Sequence, residues 1–117
     1  MDLKKLLLSF KYAFRGIVSA IFLEQNMRIH YGVMTLVILF GIIYKISPIE
    51  WIIVTLCFGL VIGAEMMNTA IERTVNLACK EYNNEARIAK DVAAGGVLIM
   101  AIIAAIVGLI IFIPKIF

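Results

Sequence analysis

The sequence predicts an all-α integral membrane protein, a bundle of three transmembrane helices preceded by an amphipathic helix at the membrane interface. Hydrophobic residues make up 63% of the chain and the mean hydropathy is +1.03, whereas apolar residues are roughly 45–50% of soluble domains. Residues 92–113 carry no charge, and such a stretch is long enough to cross a bilayer as a helix. We expect the 117 residues to form a single domain, 1–117. Because a monomer of this size encloses a substrate poorly, we expect an oligomer.

The N-terminal segment, residues 1–28, is predicted to be an interfacial helix. Apolar residues recur at three- and four-residue intervals between Leu3 and Ile21, and basic residues interrupt them at Lys4, Lys5, Lys11 and Arg15. This periodicity is typical of an amphipathic helix. We expect it to lie along the membrane surface with its basic side toward the lipid headgroups.

Three segments are predicted to cross the membrane, at 31–46, 49–72 and 91–113. The turn between the first two contains Ser47 and Pro48. The second segment reaches spanning length only if two polar residues, Glu65 and Asn68, are accepted within it. Glu65 within a membrane span is the first indication of a functional site, because ionisable residues inside a membrane are rare and usually functional.

Basic residues predict the orientation of the chain. The first 30 residues hold five Lys or Arg, and the predicted loop at 73–90 holds four; only Lys45 and Lys115 lie on the other side. By the positive-inside rule, the N-terminus and the 73–90 loop face the cytoplasm. Basic residues are not interleaved with aromatic ones, so we expect no binding of nucleic acid.

Four polar residues form a stripe at the cytoplasmic end of the second span. At 100° per residue, Glu65, Asn68, Glu72 and Asn76 fall at about 0°, 300°, 340° and 20° around the helix axis. A carboxylate within a membrane helix costs roughly 2.5–3.5 kcal/mol on insertion scales. A bound cation, a basic neighbour or a shared proton must therefore offset the charge of Glu65.

Other polar residues are expected at the same depth in the membrane as this stripe. Lys90 and Asp91 begin the third span, and Lys90 is the expected basic neighbour of Glu65. Glu24 lies at the end of the interfacial helix. Carboxylates, an amide and a lysine together suit a divalent metal and a polyphosphate, since magnesium favours carboxylate and phosphate oxygens.

Structural roles for these residues remain open at this stage. Glu65 and Asn68 are also compatible with a hydrogen-bonded pair between helices, and Glu24 with Arg28 is on spacing alone an ordinary i,i+4 ion pair. Lys90 is also compatible with a side chain that only extends to the headgroups. Two other classes of protein fit as well: a proton-coupled transporter subunit, and a small membrane peptide whose polar stripe serves only assembly.

Three further residues receive no functional role. His30 begins the first span and has no partner evident from the sequence. Cys57 lies in an apolar run and Cys79 in a charged segment, so the two share neither the spacing nor the surroundings of a disulfide or a metal site.

The motif Glu65-Met-Met-Asn68-Thr-Ala-Ile-Glu72, followed by Ala89-Lys90-Asp91 and a patch of small residues, resembles the prokaryotic diacylglycerol kinase family. The resemblance extends over nearly the whole chain. It implies one lipid kinase domain and a homotrimer with active sites at subunit contacts in the bacterial cell membrane. It also implies MgATP as the phosphoryl donor and a lipid alcohol as the acceptor.

The resemblance also implies roles for individual residues. Glu65 matches the general base for the lipid hydroxyl, with Asn68 supporting it. Glu24 and Glu72 match the carboxylates that bind Mg²⁺.

The nucleotide side of the site is matched by Lys90, which contacts the phosphates in the family, by its neighbour Asp91, and by Tyr82 in the loop. Asn76 stands where diacylglycerol-specific members usually have an aspartate that helps to hold the nucleotide. The residues from Glu72 to Leu77 and the patch Ala93-Ala94-Gly95-Gly96 are more similar to the Gram-positive branch. That branch implies undecaprenol as the acceptor, with diacylglycerol as the alternative.

Overall fold

The computed structural model describes residues 2–117 as four α-helices joined by short connections, with no strand in that range. Helix α1 spans Leu3–Leu23, α2 spans Gln25–Ile43, α3 spans Pro48–Ala78 and α4 spans Asn84–Ile116. Helix α3 contacts the other three helices and packs most extensively against α4. The predicted all-α class is confirmed.

Helix α1 begins with a side-chain cap. The carboxylate of Asp2 accepts hydrogen bonds from the backbone N–H groups of Lys4 and Lys5 at 3.0 and 3.3 Å, which satisfies two of the donors that a helix start leaves free. Most of the apolar side chains of α1 are exposed, and Ala20 is its one buried residue. The apolar face of α1 therefore requires an apolar environment beyond this subunit's core.

Glu24 separates α1 from α2. Its backbone is extended, with φ −117° and ψ 119°. The guanidinium of Arg28 donates to the carbonyls of Ile21 and Phe22 at 3.0 and 2.9 Å, so it satisfies acceptors left free at the end of α1. The prediction that 1–28 forms one helix is wrong, since α2 begins directly after Glu24. Arg28 caps α1, so the alternative of an ion pair between Arg28 and Glu24 is not observed.

The turn between α2 and α3 is held by a reciprocal cap. The Ser47 hydroxyl accepts from the N–H of Glu50 at 3.2 Å, and the Glu50 carboxylate accepts from the N–H of Ser47 at 2.9 Å. Pro48 occupies the first helical position, where its missing N–H costs nothing. The tight turn predicted from Ser47 and Pro48 is confirmed.

Gly41 allows α2 and α3 to approach closely beside this turn. An alanine Cβ at residue 41 would lie 2.6 and 2.9 Å from Cη2 and Cζ2 of Trp51. Those distances are well inside van der Waals contact. The indole ring therefore occupies the space that any larger residue at position 41 would need.

The connection between α3 and α4 is shorter than predicted. The expected loop over 73–90 is helical except at 79–83. Charged residues had indicated a loop, but this stretch contains no Gly or Pro that would interrupt either helix. Helix α4 begins where the Asn83 side chain accepts from the N–H groups of Glu85 and Ala86 at 2.9 and 3.2 Å.

The far ends of α3 and α4 are joined by an ion pair. Lys115 donates to the carboxylate of Glu50 at 2.7 Å and to the carbonyl of Ile111 at 3.3 Å. This contact links the first turn of α3 to the last turn of α4.

Few apolar side chains are buried within one subunit, and the main cluster consists of Ile46, Val54 and Ile111. All four helices are long and apolar enough to cross a membrane by length and composition. Their exposed apolar surface fits lipid or neighbouring helices far better than water. Helix α1 is also long and apolar enough to cross the membrane. The arrangement with three membrane spans and α1 at the interface therefore stays a prediction.

An apolar cavity of about 560 Å³ lies among α2, α3 and α4. Its α4 wall includes Ala101, Ala104, Ala105 and Gly108, whose small side chains leave the space open. His30 of α2 is among the lining residues and is the basic one.

Candidate active site

The polar stripe on α3 runs from the interior of the bundle to the end where α3 meets α4, called here the site end. Glu65 and Asn68 are buried, with 2% and 7% of their surface exposed, while Glu72 is partly buried and Asn76 is exposed. The Asn68 amide donates to the Glu72 carboxylate at 3.4 Å. Neighbouring stripe residues therefore contact each other, as expected for one helix face.

The immediate neighbour of Glu65 is His30 on α2. Nε2 of His30 lies 3.4 Å from Oε2 of Glu65. Within residues 2–117, neither Glu65 Oε2 nor Asn68 Oδ1 has a hydrogen-bond partner, although both atoms are buried. A buried acceptor without a donor is costly, so both atoms are suited to accept a further hydrogen bond.

The prediction that Lys90 is the neighbour of Glu65 is wrong. The Lys90 ammonium donates to the side-chain oxygen of Asn76 at 3.0 Å, about three turns further along the stripe than Glu65. Sequence reasoning gave His30 no role, and the signal that could have found it lies in the pairing of α2 with α3. The two helices are antiparallel neighbours, so residues early in α2 oppose residues late in α3.

A second contact establishes that register. The Arg73 guanidinium lies 3.7 Å from the Glu24 carboxylate, and the contact between His30 and Glu65 follows further along the same two helices. The six residues from Glu24 to His30 thus run alongside the eight residues from Arg73 back to Glu65. Pairing the helices through Glu24 and Arg73 would have indicated His30 as the neighbour of Glu65.

A carboxylate hollow of about 440 Å³ lies between the end of α1 and the end of α3, and its lining is Glu24, Glu72, Arg73, Asn76 and Leu77. The two predicted magnesium ligands therefore face the same space. No cluster of three His, Cys, Asp or Glu able to hold a metal occurs within residues 2–117. Mg²⁺ usually takes only one or two protein carboxylates and completes its coordination with phosphate oxygens and water. The donor set fits that kind of site.

A connection hollow of about 430 Å³ lies beside residues 79–83, and its lining includes Asn76, Tyr82, Lys90 and Asp91. Asp91 pairs with Arg87 at 2.8 Å, and Tyr82 is 82% exposed. Asn76 lines both hollows, so the carboxylates and Lys90 lie on two sides of one asparagine. The basic group Arg87 was not anticipated, although it occupies the same α4 face as Asp91 one turn earlier.

The eight predicted site residues thus fall into three adjoining groups. Glu65 and Asn68 are buried, Glu24 and Glu72 line the carboxylate hollow, and the nucleotide-side residues line the connection hollow. Their individual roles remain predictions. Cys57 and Cys79 are free thiols, as predicted.

These features define the class of protein: a small helical membrane enzyme whose polar site lies at one end of its bundle. The family model for prokaryotic diacylglycerol kinase matches residues 11–112, and the chain belongs to that family. Membership confirms the lipid kinase prediction and disfavours the transporter and assembly-peptide alternatives.

Two relatives extend over nearly all of this chain. An undecaprenol kinase of Bacillus subtilis is 40% identical over 114 residues, covering 97% of this chain and 93% of the relative. A diacylglycerol kinase of Synechocystis is 39% identical over 110 residues, covering 93% of this chain and 63% of that relative.

Proposed function

We propose that this protein transfers the γ-phosphoryl group of MgATP to the hydroxyl of undecaprenol, with Glu65 as the general base. The observation that carries this proposal is the buried Oε2 atom of Glu65, which has no hydrogen-bond donor within residues 2–117. A hydroxyl of the acceptor lipid would supply that donor. A general base must lie within hydrogen-bond reach of the proton that it accepts.

The proposed transfer is a direct displacement at the γ-phosphorus. The lipid hydroxyl oxygen attacks the γ-phosphorus, the bond from that phosphorus to the bridging β-oxygen breaks, and ADP leaves. The hydroxyl proton passes to Oε2 of Glu65. Such transfers depend mainly on positioning and on neutralising phosphate charge. Asn68 supports the site in this proposal: its amide contacts Glu72, while its oxygen is free to accept from the substrate.

Glu24 and Glu72 would hold Mg²⁺ in the carboxylate hollow. When bound there, the ion supplies positive charge to the oxygens of the transferring phosphate. Lys90 would bind the phosphates from the connection hollow, and its ammonium contacts Asn76, the residue that lines both hollows. Asp91 and Tyr82 would complete the nucleotide side.

Two considerations favour undecaprenol as the acceptor. The undecaprenol kinase relative is matched over 93% of its length, whereas the diacylglycerol kinase relative is matched over 63%. Asn76 also departs from the aspartate expected in diacylglycerol-specific members. Diacylglycerol is the alternative acceptor, because both lipids present a primary hydroxyl at the membrane surface.

The protein would act as a homotrimer in the bacterial cell membrane, with its N-terminus and site end toward the cytoplasm. The distribution of Lys and Arg supports this orientation. The small buried core and the large exposed apolar surface of a single subunit support assembly through its helices.

The test is transfer of labelled phosphate from MgATP to undecaprenol and, in parallel, to diacylglycerol by the purified protein in detergent micelles. We expect transfer with a preference for undecaprenol. Glu65→Gln keeps the shape of the side chain but removes the base, so turnover should fall at least about a hundredfold, as general-base losses typically give.

Glu85→Gln is the matched control, because it makes the same change at an exposed glutamate of α4 that lines neither hollow. It should retain the turnover of the unmodified protein. Near-normal turnover of Glu65→Gln with an unchanged oligomer would remove Glu65 from this role. Equal or better use of diacylglycerol would overturn the acceptor assignment.

A further inference from the structure

We propose that His30 is a positioning residue for this reaction, donating a hydrogen bond from Nε2 to Oε2 of Glu65 when the acceptor hydroxyl is bound. The inference rests on the proposed function, since it assigns a partner to the proposed base. It gives a role to a contact between α2 and α3 that neither the sequence motif nor the comparisons assign.

The first support is geometric. Nε2 of His30 lies 3.4 Å from Oε2 of Glu65, slightly beyond an ordinary hydrogen bond. Catalytic hydrogen bonds are often long without substrate and shorten in the reacting complex. No other donor within residues 2–117 serves that oxygen, so His30 is the group placed to orient it.

The second support is the rigidity of the element that carries His30. Met27, one turn earlier on α2, is 1% exposed and thus fixes this part of the helix in the bundle. Glu24 immediately precedes α2 and contacts Arg73 of α3. The first turns of α2 therefore hold both the proposed metal ligand Glu24 and the contact to Glu65 in one register.

The third support is the position of His30 at the apolar cavity. His30 lines that cavity and also contacts Glu65, so the imidazole lies between the apolar space and the carboxylate. An apolar wall restricts the alternative partners of a polar ring, because few donors or acceptors exist there. The ring is consequently directed toward Glu65.

The test compares two substitutions of His30. His30→Gln can place an amide N–H near the position of Nε2, whereas His30→Leu fills similar space without a donor. We expect His30→Leu to lower kcat at least tenfold with little change in KM for MgATP. His30→Gln should recover kcat to within about threefold of the unmodified protein, which a purely space-filling role for residue 30 does not predict.

Met34→Leu is the matched control, because Met34 lines the same cavity one turn further along α2. It should leave kcat unchanged. A second comparison uses Glu65→Asp, whose shorter side chain already breaks the contact. Adding His30→Leu to Glu65→Asp should cost less than twofold.

The outcomes separate this inference from the proposed function. If Glu65→Gln is inactive while His30→Leu retains full kcat, the base assignment stands and the role of His30 is refuted. Equal losses for His30→Leu and His30→Gln would also refute it, as would a full tenfold effect of His30→Leu in the Glu65→Asp background. Normal activity of Glu65→Gln would instead overturn the proposed mechanism itself.

Discussion

Gly41→Ala should destabilise the bundle because the new methyl group meets the indole of Trp51. An alanine Cβ there would lie 2.6 Å from Cη2 and 2.9 Å from Cζ2 of the indole, and 3.2 Å from Cδ1 of Ile46. Overpacking a filled core typically costs about 1–3 kcal/mol. In a helix, Ala is also favoured over Gly by about 1 kcal/mol, and that gain must be removed from the comparison.

Gly32→Ala supplies the correction. Gly32 is also in α2, and a Cβ at that position would meet nothing within 4 Å. The helix-propensity gain is common to both variants and cancels in their difference. Gly41→Ala should therefore be less stable than Gly32→Ala by about 1–3 kcal/mol, measured as the free energy of unfolding in a denaturing-detergent titration from mild micelles.

Trp51→Phe tests the stated cause, because phenylalanine lacks the ring atoms that the new methyl group would meet. In the Trp51→Phe background, Gly41→Ala should lose most of its extra cost, which a double-mutant cycle would measure as coupling between the two residues. Equal stability of Gly41→Ala and Gly32→Ala would refute the steric explanation. So would an unchanged cost in the Trp51→Phe background.

Three further predictions concern the site. Lys90→Met removes the ammonium that contacts Asn76. The value of kcat/KM for MgATP should fall about 10²–10³-fold, as it does on loss of one charge-stabilising donor. Lys45→Met, at the opposite end of the bundle, should leave kcat/KM unchanged. Glu72→Gln should raise the Mg²⁺ concentration for half-maximal activity at least tenfold, with saturating Mg²⁺ restoring part of the rate; an unchanged Mg²⁺ requirement would exclude Glu72 as a ligand. Asn76→Asp adds a third carboxylate beside Glu24 and Glu72, so half-maximal activity should require several-fold less Mg²⁺, and a higher requirement would contradict the placement of the metal.

The helices and the polar stripe could be predicted because their signals are local. Apolar length and the 100° rotation per residue placed Glu65, Asn68 and Glu72 on one face, and Ser47 and Pro48 indicated the turn between α2 and α3. Charge alone does not predict the length of the connection, because charged residues are as compatible with the exposed ends of α3 and α4 as with a loop. Asn83, with Glu85 two residues later, is a helix-start signal that would have placed the N-terminus of α4 correctly.

The break at Glu24 and the partner of Glu65 depended on contacts between helices. No Gly or Pro marks the end of α1, and the Arg28 side chain that caps it comes from the following helix. Lys90 was expected to reach Glu65 because both lie at the same end of the bundle. A shared level in the membrane does not define which residues touch, since that depends on helix register and rotation.

The ion pair of Glu50 and Lys115 has a consequence for substrate entry. Residues 79–83 join α3 to α4 covalently at one end, and this ion pair joins them at the other. The hairpin of α3 and α4 is thus fastened at both extremities and is expected to move as a single rigid frame. Any widening that admits the lipid acceptor is then expected to come from displacement of α1 and α2, the helices whose junction bears Glu24.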